Sequence, residues 1–126
     1  MSHRVTYNSK LRFIESKIRG NLTFKEAKEI ISKIIEIGKE KRCYSCLTDY
    51  RESEINMSTM EIYDLPKLIA DVSASQGLSA RDFKRAVVVK KGLENFHFYE
   101  TVTLNSGQSV KIFQDIDEAK KWLSEK

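Results

Sequence analysis

KRAVVVK, residues 84–90, holds four consecutive apolar residues, Ala86 to Val89, closed at each end by cations. A half-exposed strand alternates apolar and polar positions, whereas an unbroken β-branched run fits a strand covered on both faces. Such strands lie at the centre of sheets whose parallel neighbours are joined by crossover helices. The run therefore predicts an α/β chain, and its flanks should alternate helix with strand.

They do. Upstream, Ser58 and Glu61 form a capping box that opens a helix over STMEIYDLPKLIADVSASQ. In such a box each side chain satisfies a backbone N–H of the first turn. Ile62, Leu65, Ile69 and Val72 recur at helical spacing as its buried stripe. Pro66 predicts a kink or restart, and Gly77 ends the helix. CYSCLTDY (43–50) reads as a strand. Before it, Thr23 and Glu26 open a helix that buries Ala27, Ile30, Ile31, Ile34 and Ile37. VTYN (5–8) and LRFIESKIR (11–19) read as a hairpin with a tight turn at Asn8-Ser9, and Gly20-Asn21 breaks its second strand.

Downstream, Gly92 begins a loop and LENFHFYETVTLN (93–105) reads as an aromatic-rich helix with Asn105-Ser106-Gly107 as its C-cap. SVKIF (109–113) is the last strand. Asp115 and Glu118 then cap a helix that buries Ala119, Trp122 and Leu123. The expected fold is a single α/β domain over 1–126, with a mostly parallel five-stranded sheet, an antiparallel N-terminal hairpin and four helices.

Composition narrows the function. With 40% hydrophobic and 32% charged residues the chain is an ordinary globular one. No apolar run approaches the roughly 20 residues of a membrane span. MSHRVTYNSK has no apolar core of a secretory signal, so a cytoplasmic location is expected. The net charge of +4 is uneven, since residues 1–50 carry 11 Lys/Arg against 6 Asp/Glu. Its lysines alternate with glutamates in FKEAKEIISKIIEIGKEK, the pattern of a solvated helix face, so no nucleic-acid partner is expected.

Cys43 and Cys46 raise the question of a redox dithiol or half a metal site. In a strand, residues three apart are roughly 10 Å apart and face opposite sides, too far for the roughly 7 Å of a disulfide. No second cysteine pair exists. Inert buried thiols, no metal and no cofactor are expected. His97 and Glu100 on the aromatic helix have no nucleophile near them in sequence, so no catalytic residue is assigned.

Two further sets of candidates come from geometry. Open parallel sheets bind ligands beyond the carboxyl ends of their strands, which here supply Asn21, Asp49, Tyr50, Arg51, Lys90 and Lys91. Arg51, Lys90 and Lys91 could hold an anion, with Asp49 and Tyr50 orienting a polar group. Phe96, Phe98 and Tyr99 cannot all face one core from a single helix, which makes them candidate interface residues, possible in a homodimer.

RAVVV, FHFYETV, NSGQSVKIF and DEAKKWL, in that order over residues 84–123, resemble the second half of SpoIIAA-like proteins of the STAS (sulfate transporter and anti-sigma-factor antagonist) superfamily. LTD after the third strand and STMEIYDLP keep the family's spacing more loosely. The resemblance implies a small module that works by binding a protein partner or a second copy. In the antagonist branch a serine at the start of the helix after the third strand accepts a phosphate. The matching window, NMST, makes Ser58 or Thr59 the candidate acceptor, although Met57 stands where the antagonists have Asp. A second branch binds lipid-like molecules between helices and sheet, so a carrier or sensor of a small apolar molecule is the alternative.

Overall fold

The apolar run is a strand with a neighbour on each side and burial on each face. In the computed structural model, which describes residues 2–90 and 108–125, β4 (Lys84–Val88) runs parallel between β3 (Ser45–Ile55) and β5 (Ser109–Phe113). β2 (Phe13–Leu22) is parallel to β3, and β1 (Ser2–Asn8) is antiparallel to β2. The sheet order is β1-β2-β3-β4-β5.

The parallel connections among the described residues, β2 to β3 and β3 to β4, each step one strand further in the same direction, which is expected to put their helices on one face. α1 (Phe24–Lys41) and α2 (Thr59–Ser75) accordingly pack together over Ile18, Leu22 and Val87. α3 (Ile116–Ser124) covers the other face, burying Ala119 and Leu123 against Leu47, Ala86, Val88 and Phe113. Three α-helices occur among the described residues where four were expected. The expected aromatic helix over 93–105 lies outside the described residues.

The helix ends show why these segments start and stop where they do. At α2 the capping box closes both ways: Glu61 N–H donates to Ser58 Oγ (3.1 Å) and Ser58 N–H to Glu61 Oε1 (2.8 Å). At α1 it closes differently. Thr23 Oγ1 accepts from Glu26 N–H, but the Glu26 carboxylate takes the Thr23 hydroxyl rather than its backbone N–H. α3 is held at its C-terminal end by β4, where Lys84 Nζ donates to the carbonyls of Trp122 (2.6 Å) and Glu125 (2.8 Å) and lies 4.5 Å from the Trp122 ring centroid. Trp122 O also accepts from Glu125 N–H (3.2 Å), and a cation beside these last carbonyls suits the negative end of the helix dipole.

Four expectations are corrected. The hairpin loop is four residues, 9–12, because Asn8 pairs with Phe13 and Arg12 N–H returns to Asn8 O. Gly20 does not break β2; its positive φ of 85° is absorbed within the ladder, where Gly20 pairs with Ser53 and Asn21 with Glu54. α2 does not restart at Pro66 but continues as one helix from Thr59 to Ser75; the Pro66 ring is buried and its carbonyl accepts from Gln108 Nε2 (2.8 Å). Finally, β3 extends five residues past Tyr50, to Ile55.

That extension depends on a bulge. Between the pairs Lys17↔Asp49 and Arg19↔Glu52, β2 contributes Ile18 alone and β3 contributes Tyr50 and Arg51. One extra residue reverses the in–out parity of everything beyond it. Asp49 lies on the α3 side with Lys17; without the bulge Ser53 and Ile55 would follow it there. With it they turn to the helix side, where Ser53 Oγ donates to Ile18 O (2.8 Å) and Ile55 packs against the core. Glu52 and Glu54 turn the other way, to Arg19 and Lys90.

Gly38, in the last turns of α1, tests the packing of this face. A Cβ there would sit 2.9 Å from Cys43 O and 3.0 Å from the Phe83 ring. Alanine normally stabilises a helix interior relative to glycine. Here Gly38→Ala should instead cost about 1–3 kcal/mol from overpacking, read as a lower urea midpoint at unchanged m-value.

Candidate functional site

The carboxyl ends of the strands gather the expected polar residues, and the bulge organises them. The Asp49 carboxylate is buried and is grasped by the residue two positions on. Oδ1 accepts from Arg51 N–H and Nε, both at 3.0 Å, and Oδ2 accepts from the same guanidinium at 2.9 Å. Burial alone would raise the Asp49 pKa. The hydrogen bonds from Arg51 and the charges of Arg51 and Lys17 outweigh it, and the carboxyl is held below its usual range. The same hydrogen bonds raise Arg51 above the ordinary guanidinium value.

Lys90 is engaged as well, donating to Glu54 Oε1 at 2.8 Å. Two of the three cations expected to hold an anion are therefore committed to carboxylates; Lys91 lies outside the described residues. Tyr50 is half-buried against the helix-side core, away from the Asp49 carboxylate, and Asn21 is exposed on β2. The structure brings Asp49 and Arg51 together and leaves Asn21 and Tyr50 apart from them.

β3 then delivers the chain to a second surface. Asn56 N–H bonds Leu22 O (2.8 Å), Met57 packs partly into the core, and Ser58 and Thr59 stand exposed at the start of α2. Beside them Met60 is 69% and Tyr63 52% exposed. Among the described residues only one other large hydrophobic, Leu11, is comparably open. Met60 and Tyr63 lie off the stripe of Ile62, Leu65 and Ile69, so helical phasing alone marks them as outward-facing. Phe96, His97, Phe98, Tyr99 and Glu100 fall outside the described residues.

Between α1, α2 and the sheet lies an apolar slot of about 60 Å³, lined by Ile31, Ile34, Met57, Ile69 and Val87 with Arg85 at its floor. Ligand pockets usually run to about 300–1,000 Å³. Arg85 reaches Gln108 Oε1 (2.8 Å), and Gln108 in turn reaches α2 at Pro66. No sequence signal marked this buried relay.

The two cysteines are free, but their arrangement differs from the expected one. β3 begins at Ser45, so strand alternation does not govern Cys43, and both side chains join one cluster with Ile14, Ile35 and Phe83. Burial pushes the Cys46 thiol up to about 12, with the Arg85 charge opposing the shift. No group of three or more His, Cys, Asp or Glu side chains among the described residues is placed to hold a metal. No helix among them is long and apolar enough to cross a membrane.

No protein-family model and no curated protein matches the sequence. Solved structures do match in shape. An uncharacterized protein of the DUF3478 family with a SpoIIAA-like fold, from Shewanella loihica, superposes with a TM-score of 0.60 at 19% identity, over 97% of this chain and 92% of that one. An anti-sigma factor antagonist from Mycobacterium paratuberculosis gives 0.59 at 11% identity, over 98% and 96%. The anti-sigma factor antagonist SpoIIAA in its unphosphorylated form gives 0.57 at 8% identity, over 97% of each chain. The chain has a SpoIIAA-like fold.

Two measurements check the site chemistry. The folded pKa of Asp49 lies below the unfolded value of about 3.9, so the stability it contributes is complete above that pH and lost as pH falls through the folded pKa. Asp49→Asn should cost about 1–3 kcal/mol at pH 7 and flatten the acid limb of a stability–pH curve measured by urea titration. Separately, iodoacetamide at pH 8 should leave Cys46 unmodified in the folded protein and alkylate it once urea is added.

Proposed function

We propose that this chain is a non-catalytic binding module that acts through protein–protein contacts, with the N-terminal turns of α2 as its contact surface. The observation that carries this reading is the exposure of Met60 and Tyr63 beside Ser58. A flexible thioether and a half-exposed aromatic ring on one helical turn form the kind of anchor that interfaces use. The shape shared with two anti-sigma factor antagonists supports the same reading.

Ser58 or Thr59 is the proposed phosphate acceptor. A phosphate at this helix start would meet backbone N–H groups and the positive end of the dipole. On Ser58 it would also lie against the Glu61 carboxylate, which is 2.8 Å from the Ser58 backbone nitrogen. Like-charge repulsion would open the capping box, so one modification would change both the charge and the shape of the surface. Self-association through Phe96, Phe98 or Tyr99 is a second form of the same proposal. The competing reading, a carrier of a small apolar molecule, is favoured by the lining of the α1–α2 slot and opposed by its size.

The test is quantitative cross-linking mass spectrometry of the tagged chain in its own cells, beside a Met60→Ser/Tyr63→Ser double variant, with light scattering for self-association. A defined protein partner, or a second copy, should be recovered with the native chain and drop about tenfold with the variant at unchanged melting temperature. Equal recovery by both, or a lipid-like molecule as the sole companion in native mass spectra, would replace this reading. Ser58→Ala should cost about 1 kcal/mol as a lost cap and remove any phosphate mapped to that residue.

A further inference from the structure

At the opposite end of the sheet, two loops meet around an open concavity of about 590 Å³. Arg12 reaches it from the β1–β2 hairpin, and Lys41 and Arg42 from the end of α1; the hydroxyls of Tyr7, Ser9 and Ser45 complete the lining that matters here. Among the described residues no carboxylate lines it. None of the three cations is ion-paired among the described residues, and all three are exposed. Lys41 Nζ lies 5.9 Å from the Tyr7 ring centroid.

The backbone supplies an independent observation. Among the described residues only two non-glycine positions have positive φ, Arg12 at 58° and Arg42 at 52°, and both line this concavity. One closes a hairpin and the other ends a helix, places where glycine or asparagine is at ease. Strain of this kind gathers at ligand sites. The helix dipole accounts for cations at the end of α1, but it accounts neither for Arg12, which comes from another element, nor for two arginines in left-handed conformations. The loops are also fixed to one another, because Cys43 Sγ donates to Arg12 O at 3.4 Å.

We propose that this concavity binds a small molecule through a phosphate or diphosphate group, with Arg12, Lys41 and Arg42 supplying charge and the hydroxyls supplying neutral donors. Guanidinium groups match phosphate oxygens two at a time, and the volume suits a small ligand. This is independent of the protein-contact surface on α2.

The test is a ¹⁵N–¹H titration of the full chain with inorganic phosphate and with pyrophosphate, against sodium chloride at matched ionic strength. Saturable shifts at Ser9, Arg12 and Lys41 to Ser45, tighter with pyrophosphate, are expected. Arg12→Gly and Arg42→Gly should each weaken binding about tenfold while leaving the melting temperature equal or higher, since glycine relieves the strain. Lys41→Gln, which leaves the backbone untouched, should also weaken binding and serves if a glycine variant fails to fold. Shifts reproduced by chloride, shifts centred on Arg51 and Lys90, or folded variants that bind like the native chain would each overturn the proposal.

Discussion

A buried carboxylate decides the path of the central strand. Asp49 sits in the middle of the sheet, where an unpartnered negative charge would be costly. Arg51 answers it from two residues along the same strand, through its backbone N–H as well as its guanidinium. Reaching back over so short a span bends the backbone, and the bulge is that bend. Because side chains in a strand alternate, the single extra residue sends Ser53 and Ile55 inward and Glu52 and Glu54 outward. One ion pair thus sets the facing of the outer half of β3, and with it the point at which α2 begins.

The alternation that defines the fold was legible in the sequence because burial on two faces leaves a mark that single-face burial does not. Ala86 to Val89 needed no tertiary knowledge to be read as a covered strand, and its parallel neighbours followed from the helical stripes on either side. The capping box at Ser58 was equally legible, since two side chains three residues apart satisfy each other locally. The far half of β3 was not. Three of the four residues of RESE are charged, and charge in a strand is best tolerated where partners across the ladder supply opposite charges. Arg19 and Lys90 do so, and neither is near RESE in the sequence.

The cysteines show the same limit from another side. Strand alternation was sound reasoning for a strand that started at Cys43. The helix before it ends on a left-handed Arg42, whose N–H and that of Cys43 both return to Gly38 O. That turn spends two residues before β3 begins, and the first thiol enters the core from the loop. Both sulfurs are free in one apolar cluster, so the premise that they face opposite sides of a strand does not hold.

The charge asymmetry between the halves of the chain becomes spatial in the fold. At the carboxyl end of the strands Arg19, Arg51 and Lys90 each meet a carboxylate, and that end is electrostatically settled among the described residues. At the amino end Arg12, Lys41 and Arg42 meet none among the described residues. The mixed lysines and glutamates of α1 hid this, because only its last turn reaches the concavity, and the residue that completes the cluster comes from a hairpin some thirty positions earlier. A sheet of this class is ordinarily searched for ligands at the carboxyl end. Here the uncompensated charge, the strained backbone and the open volume coincide at the other end, so topology and electrostatics point in opposite directions. An anion responds to local field and available donors rather than to strand direction, which gives electrostatics the stronger claim.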